Sequence, residues 1–385
     1  MSVLNRSVII HPPGFYIVGF EKFPYVSFYI IFLAFVYVVT VVFNILLIYI
    51  IACNNSLHSP KFVAVINLAV VDILLTTTII PSMIKVFLFK DNFISFNLCL
   101  VQMYCYYAFA SMESYSLAIL AYDRLIAICL PLRQNLFNTV EIMSGIIAVF
   151  WIYSLARIAY STGIMTQLSF CNSVRVYSYF CDYAPVFRLA CNDYTLQWSA
   201  ASASSMVSLV APFSFILLSY ASILVTVFRM KSVSNRMKAL ATCVEHVILC
   251  AIFFIPIIVI FLIGLFLGSM DPDQRVLSLS LASCIPPSIN PIVYSLKTKE
   301  IKTRALVIIT KMKIKTKCHQ RGSKIAPIGL QRGGDYKTIR EVYLLCKQVK
   351  HMSQMPIIIK NTLLLLLILN TNKLFLSRLG VIYGF

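Results

Sequence analysis

An acidic and a basic residue, Asp123 and Arg124, stand side by side near the end of a long apolar run. Charged side chains at the mouth of a membrane helix are costly to remove from water, so they are seldom kept for stability alone. Arg124 could be an anchor whose charge extends to the aqueous interface. The adjacent Asp123 favours a second interpretation, a releasable ion pair. We therefore predict a switch or docking point here.

Two further acids lie inside apolar runs, Asp72 in the second run and Glu113 midway along the third. Intramembrane carboxylates are functional candidates by default. If the two face each other, they could bind a sodium ion with oxygen ligands such as those of Ser288 and Asn290. They could instead share one proton. The alternative is a neutral hydrogen-bonded pair without function, and we favour the functional interpretation.

Four cysteines have the spacing of an oxidised surface. Cys171, Cys181 and Cys191 follow one another at intervals of ten residues, and Cys99 stands at the start of the third apolar run. Disulfides are typical of secreted and extracellular surfaces. Four cysteines allow three pairings, and the spacing leaves all three open. None of the cysteines has the spacing of a zinc site.

The composition indicates a membrane protein. The 385 residues are 59% hydrophobic and 12% charged, with a mean hydropathy of +0.84. Soluble domains contain about 25% charged residues, so the bilayer must surround most of this chain. The net charge is +19, but the basic residues flank apolar runs, which excludes nucleic acid as the expected partner and favours membrane lipid.

Seven apolar runs are long enough for membrane helices, which need about 20 residues. The predicted spans are 26–52, 61–87, 99–129, 142–163, 199–228, 238–266 and 274–296. The fold class is therefore an all-α membrane protein, a bundle of seven transmembrane helices. The predicted regions are an N-terminal segment 1–25, the bundle 26–296, a juxtamembrane helix 297–310 and a basic tail 311–385.

Basic residues are concentrated in one set of loops, which includes Arg133, Arg229 and Lys231, whereas the opposite loops mix both charges. The positive-inside rule then places the N-terminus outside and the C-terminus in the cytoplasm. Asn5, in an Asn-Arg-Ser sequon, is a predicted glycosylation site. Alternating basic and apolar residues over 297–310 predict an amphipathic helix on the inner leaflet. The tail beyond about Lys324 is predicted to be unstructured and dispensable.

The halves of spans three, five and six that face outward offer a candidate cavity for a small organic ligand, apolar with a few hydroxyls. The candidate lining residues are Tyr106, Tyr107, Ala110, Ser111, Ser204, Ser208, Ile257 and Phe261. Each of them taken singly is more often ordinary helix packing. Arg157 lies deep in the fourth span, where it either lines this cavity or extends outward to the membrane surface.

Four strings together resemble the odorant receptors among the rhodopsin-like G-protein-coupled receptors, and the likeness covers roughly residues 5–310. The strings are SLHSPKF from Ser56, AYDRLIAIC from Ala121, KALATCVEH from Lys238 and PPSINPIVYSLKTKEI from Pro286. The likeness is closer to fish or amphibian members than to mammalian ones. Leu125 departs from the family pattern by replacing the usual Tyr, and the chain runs about 65 residues past the usual end of the family.

The resemblance implies a multi-pass receptor of the plasma membrane with an odorant pocket among the outer halves of the spans. It implies coupling to a heterotrimeric G protein of the olfactory stimulatory type, which raises cyclic AMP. It also implies disulfides between Cys99 and Cys181 and between Cys171 and Cys191. Arg124 would be the G-protein switch, and the resemblance assigns it the partners Tyr220, Asn290, Pro291 and Tyr294.

Three rival classes remain. A non-olfactory receptor of the same superfamily is the main alternative, although a seventh span without Lys disfavours a light receptor that binds retinal. A transporter would commonly have internal repeats, and the two halves of this chain show none. An enzyme is not expected, because no pairing of nucleophile and base and no metal motif occurs. No cofactor is expected beyond the sodium ion considered above.

Overall fold

The computed structural model describes residues 9–266 and 271–297, together with Ile301. All of them belong to the first of two units, Met1–Ile309. The predictions for Asn5 and for the tail 311–385 lie outside the described residues, as does nearly all of the predicted helix 297–310.

The described residues form a helical bundle with a small sheet at one end. The long helices are α1 (Val26–Ala52), α2 (Pro60–Met83), α3 (Phe96–Cys129), α5 (Val140–Gly163), α8 (Ala211–Arg229), α9 (Val233–Phe266) and α10 (Pro272–Lys297). The shorter helices are α4 (Gln134–Phe137), α6 (Tyr183–Phe187) and α7 (Thr195–Ser205). A π-helical turn at Ile84–Leu88 extends α2, and another at Met206–Val210 joins α7 to α8.

Six stretches of these described residues are long and apolar enough to cross a membrane. They are Val26–Ala52, Pro60–Leu88, Val140–Gln167, Thr195–Arg229, Ala239–Ile263 and Pro272–Tyr294. The third helix, Phe96–Cys129, meets the same standard together with Pro131–Phe137, from which it is bent by 110°. Outward apolar residues such as Phe28, Phe35 and Leu218 remain exposed, as helices that face lipid require.

Helix α3 lies at the centre of the bundle and contacts α2, α5, α8 and α9. Its residues from Ser111 to Ala121 are all buried. Polar links fix its neighbours, since Asn67 of α2 donates to Ser116 of α3 at 2.7 Å and accepts from the Trp151 indole of α5 at 2.8 Å. The main apolar core fills the half of the bundle near Asp123, with Leu120, Ile223 and Phe254 among its members.

Helix α10 contains three prolines, and a side chain of α1 replaces one of the backbone hydrogen bonds that these prolines remove. Pro291 has no N–H to donate to the carbonyl of Pro287, one turn earlier. The Asn44 amide donates to that carbonyl at 3.2 Å and also to the carbonyl of Thr40 at 3.0 Å. A buried polar side chain therefore compensates for the missing helical bond.

A three-stranded sheet, which the sequence did not predict, covers one end of the bundle. Strand β1 (Gly14–Ile17) pairs antiparallel with β2 (Phe93–Ser95) and parallel with β3 (Arg175–Val176). A Cβ atom at Gly14 would overlap the carbonyl of Ile94, so only glycine allows this close approach. The sheet attaches the N-terminal segment to the long loop after α5.

Every predicted span after the first starts later than its helix. The differences are largest for α3, which begins at Phe96 rather than at 99, for α7, which begins at Thr195 rather than at 199, and for α9, which begins at Val233 rather than at 238. In α9, the extra turn is fixed by Arg236, whose guanidinium donates to the carbonyl of Met230 at 3.0 Å. The hydropathy pattern identifies the apolar part of a helix, and these helices continue beyond it.

Candidate functional site

Two disulfides hold the loop that follows α5 against the bundle. Cys99, in the first turn of α3, is bonded to Cys181, and Cys171 is bonded to Cys191 within the loop. The backbone N–H of Cys181 also donates to Gln102 of α3 at 3.1 Å. We call this end of the bundle the disulfide end, and the opposite end, at Asp123 and Arg124, the Asp–Arg end.

A buried ion pair connects the same loop to α10. Asp182 accepts from the guanidinium of Arg275 at 2.5 Å, and the Tyr107 hydroxyl donates to its other oxygen at 2.5 Å. The Asp182 side chain is 3% exposed and that of Arg275 is 28% exposed. We call Tyr107, Asp182 and Arg275 the loop latch. The roles of Asp182 and Arg275 were not predicted from the sequence, although Asp182 directly follows the bridged Cys181.

Substitution of Arg275 by glutamine is expected to destabilise the receptor by about 2 kcal/mol, because the buried Asp182 would lose its charged partner. Arg188→Gln is the matched control, since Arg188 lies in the same loop but is exposed. Thermal unfolding of the purified variants measures the difference. Equal melting temperatures for the two variants would mean that the latch does not stabilise the fold.

A second polar link at the disulfide end joins α3, the loop and α10. The Tyr106 hydroxyl lies 3.0 Å from the Ser283 hydroxyl and 3.4 Å from that of Tyr179, which is itself 3.3 Å from Ser283. Burial raises the pKa of the Tyr179 phenol well above its usual range, so this loop residue stays protonated and able to donate.

A third cluster lies between α3, α5 and the π-helical turn. The Arg157 guanidinium donates to the hydroxyls of Ser111 at 2.9 Å and Ser208 at 2.6 Å. It also donates to the hydroxyl of Ser204 and, at 3.3 Å, to the Ser204 carbonyl. The side chain of Arg157 therefore extends into the bundle. We call these four residues the Arg157 cluster.

The remaining predicted lining residues are more dispersed. Ile257 of α9 packs against the main apolar core, and Phe261, one turn further along α9, and Ala110 of α3 are partly buried. A cavity of about 330 Å³ lies near the start of α7, lined by Arg188, Tyr194, Thr195 and Trp198. It includes none of the predicted lining residues.

Both intramembrane acids are fully buried. Asp72 accepts from the Asn290 amide of α10 at 3.1 and 3.2 Å and is close enough to Glu113 for their charges to interact. Neither carboxylate oxygen of Glu113 has a hydrogen-bond partner among the described residues. Ser288, a suggested ligand, donates instead to the carbonyl of Ile285 in its own helix at 2.7 Å.

The described residues contain no group of three or more His, Cys, Asp or Glu side chains that could hold a metal ion. The acid pair is a smaller arrangement of two carboxylates. Its unpartnered Glu113 oxygens have the chemistry that a hard cation such as Na⁺ prefers. They are equally suited to holding a proton.

At the Asp–Arg end, Asp123 has two partners. Its carboxylate lies 3.9 Å from the Arg124 guanidinium, and its other oxygen accepts from the Asn138 amide at 2.8 Å. Asn138 is the C-cap of α4, and the bend that follows α3 brings it back to Asp123. The contact of Asn138 was not predicted from the sequence, because no local pattern marks this residue.

Two of the four predicted partners of Arg124 lie near it. Tyr220 of α8 and Tyr294 of α10 both lie within electrostatic range of its charge. The Tyr220 hydroxyl also lies 2.6 Å from Nδ1 of His246 on α9, which links the fifth and sixth spans.

The other two predicted partners have different contacts. Asn290 donates a hydrogen bond to Asp72. Pro291 leaves the carbonyl of Pro287 without its helical hydrogen bond, and Asn44 donates to that carbonyl instead.

A bundle of membrane helices with a disulfide-bonded loop at one end and an Asp–Arg pair at the other defines a seven-helix receptor. A sequence family described as olfactory receptor matches residues 33–313. Olfactory receptor 2AT4 of Homo sapiens is 30% identical over 300 residues, which cover 77% of this chain and 93% of that receptor. Olfactory receptor 1L6 of Homo sapiens is 34% identical over 295 residues, covering 75% of this chain and 83% of the relative. Olfactory receptor 1M1 of Mus musculus is 32% identical over 280 residues, which cover 73% of this chain and 88% of that receptor.

The chain belongs to the olfactory receptor family. The predicted resemblance, the seven-span helical class and the function of an odorant receptor are thereby confirmed, and the protein is a receptor rather than an enzyme. It is a multi-span membrane protein. The closer likeness to fish or amphibian members stays a prediction.

Proposed function

We propose that this receptor binds small organic odorants in the half of the bundle at the disulfide end. Binding would be relayed to the Asp–Arg end, where a heterotrimeric G protein of the olfactory stimulatory type is activated and cyclic AMP rises. The receptor acts in the plasma membrane, surrounded by lipid, with its N-terminus outside and its C-terminus in the cytoplasm.

The observation that carries this proposal is the continuity of α3. Ser111, in the Arg157 cluster, and Asp123, in the ion pair, lie on the same unbroken helix. Their separation of twelve positions corresponds to about 18 Å along the axis. A ligand that shifts or rotates α3 at one end would therefore move both residues of the ion pair together, relative to Asn138, Tyr220 and Tyr294 on the neighbouring elements.

The orientation is supported by redox chemistry as well as by loop charge. Both disulfides belong to the loop after α5 and the first turn of α3. Disulfides persist in oxidising compartments and are rare in the cytosol. We therefore place the disulfide end on the extracellular side, and the Asp–Arg end would face the cytoplasm, where the G protein binds.

The switch would release contacts that hold α9 at rest. Tyr220 on α8 is bonded to His246 on α9, beside Arg124. An outward movement of α9 would break this bond and free the Tyr220 hydroxyl. Arg124, released from Asp123, would then border an opened groove for the G protein. The closed and open positions of α9 would be the two states between which a ligand shifts the receptor.

The acid pair is proposed to bind sodium or to share a proton in the resting state. A buried carboxylate without partners is too costly to remain charged and uncompensated. The two unpartnered oxygens of Glu113 support this view. Loss of the ion or proton on activation would bias the bundle between its two states.

Asp72→Asn and Glu113→Gln are each expected to change basal cyclic AMP and to remove any dependence of the response on sodium or pH, because the amide side chains carry no charge to compensate. Asp91→Asn is the control, since Asp91 is an exposed acid in a surface ion pair. Basal and odorant-evoked cyclic AMP are measured at equal surface expression. Unchanged behaviour of both variants would support an inert structural pair.

A panel of odorants applied to cells that express the receptor tests the main proposal. At least one odorant should raise cyclic AMP in a dose-dependent manner, and no odorant should evoke an ion flux through the receptor. Ligand-driven flux without cyclic AMP would contradict the proposal and favour a transporter or channel.

A further inference from the structure

The Arg157 cluster contains a positive charge inside the bundle without a negative partner. None of the ion pairs formed by the described residues includes Arg157. Its guanidinium is held by three serine residues, through hydroxyls and one carbonyl. The partners of this charge among the described residues are neutral and include these serines and the ring of Tyr153, 5.8 Å from the guanidinium carbon.

The hydroxyl of Ser208 has a hydrogen that can be redirected from a neighbouring side chain to a ligand. Ser111 donates its own hydrogen to the carbonyl of Tyr107 at 2.7 Å. The Ser208 hydroxyl accepts from Arg157 and lies 3.1 Å from that of Ser111. A hydroxyl both accepts and donates and its hydrogen rotates, so the hydrogen of Ser208 can turn from Ser111 to an incoming acceptor.

One buried donor at the cluster, the Nε of Arg157, lacks an acceptor. The neighbouring Tyr115 hydroxyl contacts Ser208 and Arg157 and offers no free acceptor to it. A buried donor without an acceptor is rare and costly, so the cluster has fewer acceptors than its guanidinium requires.

A carboxylate supplies what the cluster lacks. It is a pure acceptor with two oxygens and a negative charge, and it fits the planar fork of an arginine in a bidentate manner. In a low-dielectric interior, charge compensation favours an anion over a neutral molecule of the same size. The cluster also adjoins the π-helical turn Met206–Val210, and such turns are frequent at functional sites.

We propose that Arg157, together with Ser208, is the recognition site for the carboxylate of a small organic acid. The receptor would then respond to acids in preference to uncharged odorants of the same chain length. This inference rests on the proposed odorant pocket at the disulfide end, and it names the chemical class of the ligand that the pocket selects.

The test is binding to the purified full-length receptor in lipid nanodiscs. Hexanoate and octanoate are compared with hexanamide and octanol by the shift in melting temperature that each produces. At least one carboxylate should raise the melting temperature of the wild type at concentrations roughly tenfold below those needed for its uncharged analogue, since hydrogen bonds to charged groups are the stronger ones.

Three variants separate recognition from folding. Arg157→Gln should abolish the stabilisation by carboxylates, and Arg157→Lys, which keeps the charge but not the fork, should retain part of it. Ser208→Ala should weaken carboxylate binding several-fold. Arg175→Gln is the control, because Arg175 is an exposed arginine of the same end, and it should behave as the wild type. Melting temperatures without ligand reveal any variant that fails to fold. If Arg157→Gln fails to fold, carboxylate binding by Arg157→Lys and Ser208→Ala decides whether the cluster recognises the carboxylate.

The inference is overturned if neither carboxylate stabilises the wild type more than its uncharged analogue. It is also overturned if folded Arg157 variants keep the full preference for carboxylates. Binding that depends on Arg157 without any rise in cyclic AMP would leave this inference standing and would contradict the proposed coupling, so the two failures are distinguishable.

Discussion

Replacement of Arg124 by alanine is expected to abolish odorant-evoked cyclic AMP, while the receptor still reaches the surface and still binds ligand. Arg124 lies next to Asp123 at 3.9 Å, in range of Tyr220 and Tyr294, with 16% of its side chain exposed. Removal of this charge would separate ligand binding at the disulfide end from G-protein activation at the Asp–Arg end. Coupling free energies between sites are typically 1–3 kcal/mol, so a loss of roughly tenfold or more is expected.

The fold should tolerate this change because Asp123 keeps a partner. Its carboxylate still accepts the hydrogen bond from Asn138 at 2.8 Å. Arg133→Ala is the matched control, since Arg133 is an exposed arginine at the same end. Cyclic AMP is measured beside surface labelling and ligand-induced thermal shift. Normal signalling by Arg124→Ala at normal surface expression would show that Arg124 is not the switch.

Loss of the bridge between Cys99 and Cys181 is expected to destabilise the receptor more than loss of the bridge between Cys171 and Cys191. The first pair is separated by 82 residues and the second by 20. The chain-entropy relation gives about 4.5 kcal/mol for the longer loop and about 3 kcal/mol for the shorter one. Cys99 and Cys181 are also fully buried, whereas Cys171 and Cys191 are exposed.

The double variants Cys99→Ala/Cys181→Ala and Cys171→Ala/Cys191→Ala test this difference by thermal unfolding. Peptide mapping without reduction would verify which bridge each variant retains. The first variant should melt at the lower temperature and reach the cell surface less efficiently. The reverse order would mean that the shorter bridge, within the loop, is the main support of this end.

The helical class and the family of this chain could be predicted from sequence, because their signals are local. A run of about 20 apolar residues predicts a membrane helix wherever it occurs. The strings that begin at Ser56, Ala121, Lys238 and Pro286 are each contiguous, and together they indicate the olfactory receptors. The errors of this prediction lie at helix ends, as at Phe96 and Val233, where a helix continues past its apolar part.

The partners of the functional side chains were decided only by the tertiary structure. Asp182 meets Arg275 across 93 positions, and Arg157 meets Ser111 across 46. Local periodicity places a residue on a helix face but does not specify which residue of another helix lies opposite. Arg157 illustrates the difference, since the sequence allowed both an outward and an inward direction. The packing of α5 against α3 and the π-helical turn gives it serine partners inside the bundle, because a guanidinium in a low-dielectric interior requires acceptors.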